Sequence, residues 1–176
     1  MLAAEALQTA CPSCWCVEVT SEHRCNAIQD LVRPDDVIHL FRRPLRHPVI
    51  QHALANRVAG WMQRAFRRGA LRYIPDPEGC DMWCPPALTL QRRGGDCDDL
   101  AILAASVVLA GGGDCDVIVG HFCDGRGCQG HAWVEGVDER GAFLLEATTG
   151  ALYRDQVPAG YISHLILRPG VCAVAA

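Results

Sequence analysis

This sequence contains, in separate stretches, a thiol and two side chains that together could activate it: Cys97, His131 and Glu146. A cysteine nucleophile needs a base that accepts its proton, and the base needs a third group that holds its ring in the right tautomer. Cys97 follows a glycine pair and precedes an apolar pattern of helical spacing. It should therefore occupy the first turn of a helix, where the helix dipole favours a thiolate. Cys97 is a candidate nucleophile, with His131 as its base and Glu146 as the orienting carboxylate.

Two neighbouring predicted strands would bring the histidine and the glutamate together. Residues 131–137 and 142–147 both have strand patterns, and a turn near Arg140 separates them. A hairpin across that turn puts His131 and Glu146 diagonally close at the same end of the sheet, where the helix of Cys97 would dock. Each residue alone also has an ordinary structural interpretation, and His121 and His164 compete with His131 for the role of base. The prediction therefore depends on the three side chains meeting.

The elements that would position these residues come in two groups, helices first and strands afterwards. Pro48 suits the first position of the longest helix, and Gly69 suits its C-terminal cap. Short connections between consecutive strands favour an antiparallel sheet, so the predicted class is α+β, with a single domain over residues 26–176 after a cysteine-rich, irregular segment at 1–25. Helical patterns cover residues 26–32, 48–68, 87–90 and 97–110, and strand patterns cover residues 116–122, 131–137, 142–147 and 161–167.

Length and composition exclude several classes of protein. The chain has 176 residues, half of them hydrophobic, and a net charge of −4, which suits one domain with a sizeable core. Residues 37–75 are basic and contain no acid, but no nucleic-acid motif accompanies them, so a nucleic-acid partner is not predicted. No stretch has the length and apolarity of a membrane span, and the N-terminus lacks the basic flank of a signal peptide. We predict a cytoplasmic protein and leave its oligomeric state open.

The chain contains 11 cysteines, an odd number, so at least one sulfur has no intramolecular disulfide partner. A cytoplasmic location argues for free thiols or zinc rather than bridges. The N-terminal group could bind zinc tetrahedrally or hold incidental buried cysteines, and it consists of Cys11, Cys14, Cys16, His23 and Cys25. Two further pairs could bind zinc, form bridges or simply line loops: Cys80 with Cys84, and Cys123 with Cys128.

Three blocks of the sequence, at residues 95–101, 131–135 and 145–149, together resemble the signature blocks of the transglutaminase-like superfamily. The stretches that begin at Trp83 and Tyr73 are similar to the approach to the nucleophile in bacterial transglutaminase-like cysteine peptidases. The similarity covers about residues 48–167. It implies a papain-like α+β core in which the helix that bears the nucleophile packs on an antiparallel sheet.

The resemblance also implies an activity. Cys97 would attack an amide carbonyl of a peptide or protein substrate, His131 would serve as general base and acid, and a thioester acyl-enzyme would then react with water. The alternatives are acyl transfer to an amine, as in a transglutaminase, or a non-catalytic zinc-binding adaptor that retains the fold. The family usually has aspartate where Glu146 stands.

Two further implications of the resemblance concern the surroundings of the nucleophile. Trp83 would help to shape the oxyanion site together with the backbone N–H of Cys97. Asp96 and Asp98 match acids that bind calcium in the bacterial peptidases, which would relieve the repulsion that nearby carboxylates exert on a thiolate. The resemblance therefore implies a calcium ion beside the nucleophile, although the chemistry itself requires no cofactor.

Overall fold

The computed structural model describes residues 17–18, 25, 28–42 and 53–175. Most of the segment at 1–25 therefore lies outside the described residues, and its separation from a domain at 26–176 stays a prediction. No helix of the described chain is long and apolar enough to cross a membrane.

The helices lie in the first two thirds of the chain, as the sequence predicts. Ala53 is in an extended conformation and the longest helix begins after it, so the prediction that Pro48 opens this helix is wrong. Gly69 has a φ of +67° and follows the C-terminal cap of that helix, the conformation that favours glycine. A further helix, for which the sequence shows no pattern, begins at Pro34. The helices are a 3₁₀ helix at Pro34–Arg42, α1 at Leu54–Arg67, α2 at Pro86–Arg92 and α3 at Cys97–Ala110.

Six strands of the described chain form one antiparallel sheet in the order β10-β9-β5-β6-β7-β8. All four predicted strands are present, and the short strands β8 and β10 extend the sheet at its two edges. The six strands are β5 at Asp114–Asp124, β6 at Gly127–Asp138, β7 at Gly141–Glu146, β8 at Ala151–Tyr153, β9 at Tyr161–Arg168 and β10 at Val171–Val174. The shorter pairings join β1 at Val17–Glu18 to β3 at Met82–Trp83, and β2 at Arg72–Tyr73 to β4 at Gly94–Gly95.

Helix α3 lies at the centre of the molecule. Every residue from Asp98 to Val108 is buried, which fits a helix that is apolar on all sides and has neighbours on all sides. It packs on β5 and β6, and the 3₁₀ helix and α2 also contact it. The Ser106 hydroxyl accepts a hydrogen bond from the Arg33 backbone N–H at 3.0 Å and so ties the 3₁₀ helix to α3. This packing fixes the position of Cys97 at the N-terminus of α3.

Several cysteines are joined rather than free. One disulfide connects Cys25 to Cys172 in β10, and a second connects Cys123 to Cys128 across the β5–β6 hairpin. Cys84 is disulfide-bonded as well. The free thiols of the described chain are those of Cys80, Cys97 and Cys115.

Candidate active site

A close backbone approach places Cys97 at the start of α3. Gly95 pairs with Tyr73 in the β2–β4 bridge, and a Cβ atom on Gly95 would lie 2.2 Å from a carboxylate oxygen of Asp99. No side chain fits there, so glycine lets Asp99 fold back beneath the turn. The Asp99 Oδ1 atom then accepts the Cys84 backbone N–H at 2.7 Å, which ties the loop before α2 to the start of α3.

His131 and Glu146 meet as the sequence predicts. The Nε2 atom of His131 lies 2.6 Å from the Oε2 atom of Glu146. The connection between the two strands is shorter than their predicted ends at residues 137 and 142 imply, because Asp138 pairs directly with Gly141 across a two-residue turn. This tighter turn brings His131 and Glu146 one diagonal step apart, closer than predicted. The longer side chain of glutamate therefore reaches the ring, and Nδ1 is the ring nitrogen left to face other groups.

Glu146 is buried and still ionised. Burial by itself would raise its pKa, but hydrogen bonds from His131 and Thr148 outweigh it and lower the pKa below its ordinary value. Thr148 donates to Oε1 through both its hydroxyl, at 2.7 Å, and its backbone N–H, at 3.0 Å. The Tyr161 hydroxyl donates to Oε2 at 3.1 Å, and burial together with the Glu146 charge raises the pKa of that tyrosine. Glu146 is thus held as a fixed negative charge beside the imidazole.

Cys97 and His131 line the same cleft, which has a volume of about 460 Å³. Ala132, the residue after His131 in β6, lines the cleft as well, so the thiol faces the strand that carries His131. The ring of His131 stacks on Trp133, with a centroid distance of 6.0 Å, and Tyr161 packs nearby. The cleft therefore brings a thiol and an oriented imidazole together in one solvent-accessible space.

The Cys97 thiol is protonated at neutral pH in this arrangement. Burial raises its pKa to about 12, and the charges of Asp98 and Asp96 contribute further. The helix dipole alone thus does not supply the thiolate that the sequence predicts, because burial and the flanking acids outweigh it. A thiol in this state needs either a base that removes its proton or a nearby positive charge.

Asp96 and Asp98 have the properties of oxygen ligands for a cation. Asp98 is buried, and burial together with the Asp96 charge raises its pKa well above the ordinary value. One carboxylate oxygen of each residue is buried without a hydrogen-bond partner, an arrangement that is costly unless something fills it. The ligand atoms of Asp96, Cys97 and Asp98 lie within 4.8 Å of one another. Hard cations such as calcium prefer such carboxylate oxygens.

Trp83 lines the cleft, but its indole N–H is already engaged. Its Nε1 atom donates to the Asp81 Oδ1 atom at 2.6 Å, and the ring is 2% exposed. The role of Trp83 in shaping the oxyanion site stays a prediction, and its indole N–H is not free to donate to an oxyanion.

The described residues also bear on the N-terminal zinc prediction. Cys25 is bridged to Cys172 and so offers no thiolate to a metal. Cys11, Cys14, Cys16 and His23 lie outside the described residues. The Cys123–Cys128 pair forms a bridge, which decides that open alternative in favour of a disulfide.

Sequence reasoning missed several residues of this site. Thr148 and Tyr161 hold Glu146, and Tyr73 and Asp81 line the cleft. Thr148 has a visible signal, because it lies two residues after Glu146 and a Thr side chain readily bonds a neighbour at that spacing. Tyr161 has none, because its contact depends on β9 pairing with β5 from a distant part of the chain.

No protein-family model matches the chain, and no curated protein sequence matches it at a significant level. Solved structures do match. LapG from Legionella pneumophila matches in its calcium-bound form with a TM-score of 0.58 and 16% identity, over 78% of this chain and 75% of that one. The EGTA-treated form matches with a TM-score of 0.57, 16% identity, and 78% and 73% coverage.

A candidate cysteine protease from Cytophaga hutchinsonii also matches, with a TM-score of 0.53 and 18% identity over 67% of this chain. The chain spans only 38% of that protein's length. At these identities the likeness concerns the fold. The chain has a transglutaminase-like, papain-like fold of mixed helix and antiparallel sheet, as the sequence predicts.

Proposed function

We propose that this chain is a cysteine peptidase in which Cys97 is the nucleophile, His131 the general base and acid, and Glu146 the orienting carboxylate. The observation that carries the proposal is the buried contact of 2.6 Å between His131 and Glu146 beside a cleft that Cys97 also lines. The likeness of the fold to a candidate cysteine protease supports it further. The substrates would be peptides or proteins.

The geometry suggests how the steps proceed. His131 Nδ1 accepts the thiol proton while the Cys97 sulfur forms a bond to the carbonyl carbon, and the C–N bond then breaks as the imidazolium returns that proton to the leaving amine. Water attacks the resulting thioester, loses a proton to His131 and releases the carboxylic acid and the thiol. Donors for the carbonyl oxygen would be backbone N–H groups at the start of α3.

Glu146 would act through His131 and not on the substrate. The proton on Nε2 is held by the carboxylate, which selects the tautomer whose Nδ1 atom can accept a proton. The negative charge also stabilises the imidazolium that forms during catalysis. Thr148 and Tyr161 keep the carboxylate in place by filling its remaining oxygen lone pairs.

We also propose that Asp96 and Asp98 bind calcium beside the nucleophile. Their buried oxygens without partners and raised pKa values fit that ion, and LapG is known in a calcium-bound form. A bound calcium would supply positive charge that favours the Cys97 thiolate. Without it, burial and the charge of Asp96 raise the pKa of Asp98 well above its ordinary value.

Alkylation kinetics test both proposals together. Iodoacetamide at neutral pH, with the modified sites mapped by mass spectrometry, should modify Cys97 much faster in calcium than in EGTA, because the thiolate is the reactive form. Cys80, a free and partly exposed thiol, is the internal control and should react at the same rate in both buffers. Equal and slow modification of Cys97 in both buffers would contradict the activated thiol.

Cleavage itself requires a substrate screen. A proteome-derived peptide library, incubated with the wild type and with Cys97→Ala, should show new amino termini in the wild-type sample alone. Addition of a primary amine separates the two kinds of acyl acceptor: hydrolysis leaves free carboxylates, whereas acyl transfer yields amine adducts at the same positions. Identical peptide patterns for wild type and Cys97→Ala would refute the peptidase.

The cytoplasmic location stays a prediction, and the bridges provide its test. Disulfides persist in oxidising compartments and are rare in the cytosol of most organisms. Acid quenching of cells followed by differential alkylation would report the state of Cys123 and Cys128. A reduced pair fits the cytoplasm, and an oxidised pair indicates export.

A further inference from the structure

Two histidines outside the His131–Glu146 pair meet on the wall of the same cleft. The Nδ1 atom of His121 lies 2.8 Å from the Nε2 atom of His164, and the rings meet edge to face with centroids 4.9 Å apart. Both side chains are exposed, and both line the cleft of Cys97. The proposed peptidase mechanism uses neither of them.

A β-bulge produces this pairing. Gly120 of β5 pairs with Ser163 of β9, but Val119 pairs with Leu165, so His164 is the extra residue with no partner across the ladder. A bulge re-aims the side chain it contains and commonly lies next to a functional site. Here it places the imidazole of His164 beside that of His121, while His121 itself pairs with Ile162 in the ladder.

The strand on the other side leaves the two rings open to the cleft. His121 pairs with Gly130 of β6, and a Cβ atom added to Gly130 would meet nothing within 4 Å. The glycine therefore contributes no side chain that covers the pair, and the space above it is available to a ligand.

The charge of the cleft indicates what kind of ligand would enter. Asp81, Asp96 and Asp98 line it, and no arginine is among the described residues that do so. Cations should therefore accumulate in this space. Two adjacent imidazoles select borderline metals such as zinc, copper and nickel, whereas calcium prefers the carboxylate oxygens.

We propose that His121 and His164 form a binding site for a divalent transition-metal ion of the zinc class on the wall of the cleft. Zinc binds imidazole nitrogen at about 2.0–2.1 Å in tetrahedral geometry, which a small opening of the present contact between the two nitrogens would satisfy. The metal accepts lone pairs from His121 Nδ1 and His164 Nε2. The proton of their hydrogen bond moves to the other nitrogen of its own ring through solvent, so a neutral pair releases no proton. Water fills the remaining positions.

Calorimetric titration with zinc chloride tests this site without reference to catalysis. The full chain carries Cys97→Ala, which removes the thiol beside the cleft as a competing ligand, and the buffer contains calcium. Zinc should bind to the cleft, and His121→Gln or His164→Gln should each weaken that binding by at least about tenfold. His39→Gln is the matched control, because His39 is exposed on the 3₁₀ helix, and it should leave the affinity unchanged.

Cobalt substitution identifies the ligand atoms. The absorption spectrum of the cobalt complex should lack a thiolate charge-transfer band and should disappear in both cleft variants. Unchanged zinc affinity in His121→Gln and in His164→Gln, or an equal loss in His39→Gln, would overturn the proposal. A thiolate band that persists in both cleft variants would do the same. Each variant is first checked for an unchanged melting temperature, and either of the two is sufficient for the test.

Discussion

Carboxylates surround the N-termini of both long helices, but the two groups are in opposite electrostatic states. At α1, the Leu54 and Ala55 backbone N–H groups donate to Glu139 and Asp138 at 3.2 and 3.0 Å. Arg154 forms an ion pair with Asp138 at 2.8 Å, and its hydrogen bond is the main reason that the pKa of Asp138 is lowered despite burial. These acids satisfy the unpaired donors of the helix and have a cation of their own.

At α3 the acids are more buried and less well matched. Asp96 is the N-terminal cap residue, but its side chain makes no cap hydrogen bond. Burial raises the pKa of Asp99 to about 7 and raises that of Asp98 well above its ordinary value. The same kind of residue therefore stabilises one helix and strains the other. Such local conflicts are expected where a site serves a ligand or a reaction rather than the fold.

The largest test of this contrast removes the nucleophile. Cys97→Ala should lower peptide cleavage by about 10⁴-fold or more, because the remaining groups cannot form the acyl-enzyme. The melting temperature should change little, since the change only removes a sulfur atom from the lining of the cleft. Cys80→Ala is the control and should keep full activity. A Cys97→Ala variant with wild-type turnover would contradict the functional assignment of the α3 terminus.

The complementary change removes the matched acid at α1. Asp138→Ala leaves Arg154 without its carboxylate and the Ala55 and Arg140 backbone N–H groups without their acceptor, which should cost about 3 kcal/mol of unfolding free energy. For a chain of this size that corresponds to a fall in melting temperature of about 6–12 °C. Asp155→Ala, at a neighbouring exposed position, should have almost no effect. An unchanged melting temperature in Asp138→Ala would contradict the conclusion that the acids at the start of α1 stabilise the fold.

A change at Glu146 tests whether a buried, partnered acid serves the proposed reaction or only the stability of the fold. Glu146 is buried, bonded and ionised like Asp138, yet its partner is His131. Glu146→Gln keeps an oxygen that can accept the ring N–H but loses the charge that stabilises the imidazolium, so turnover should fall by about 100-fold rather than vanish. Glu135→Gln changes a carboxylate that contacts Trp133 instead and should retain activity. Equal activity in both variants would place Glu146 among the structural acids.

The smallest effect, and the sharpest in sign, is the response of stability to pH. Asp138, with its lowered pKa, stabilises the fold above its unfolded value of 3.8, and that contribution is lost as pH falls through the folded value. Asp99, with a pKa raised from 3.8 to about 7, destabilises the fold increasingly as pH rises between those values. In EGTA, Asp99→Asn should therefore raise the melting temperature by a few degrees at pH 8 and hardly at all at pH 4. Thermal unfolding of the variant and the wild type at the two pH values measures this. A melting temperature of Asp99→Asn below that of the wild type at pH 8 would contradict the prediction.

Local patterns were sufficient to predict that His131 and Glu146 meet. The strands of His131 and Glu146 are close in sequence and joined by a short turn, so their meeting is a local event. The pairing register of the two strands could not be predicted without the length of the turn. Asp138 pairs with Gly141, whereas the sequence predicts a longer connection. The position at which α1 begins was not predictable either, because its first N–H groups donate to Asp138 and Glu139, which are distant in sequence from Leu54.

Other features have no local signal. The partner of Cys25 lies at residue 172, a separation of 147 residues, and cysteine spacing alone does not reveal a pairing. The engagement of the Trp83 N–H by Asp81 depends on a loop conformation that composition does not specify. The bulge at His164 similarly arises from the pairing of β5 with β9 and not from a glycine or proline in that strand.

The bridge between Cys25 and Cys172 makes the intervening chain a covalent ring. A force applied to the two ends of the polypeptide passes from residue 25 through the sulfur atoms to residue 172 and is not transmitted along the strands between them. The thiol, the imidazole and the carboxylate all lie within that ring. Stretching of the intact protein from its ends should therefore leave the folded centre under no tension, and reduction of this bridge should transfer the load to it.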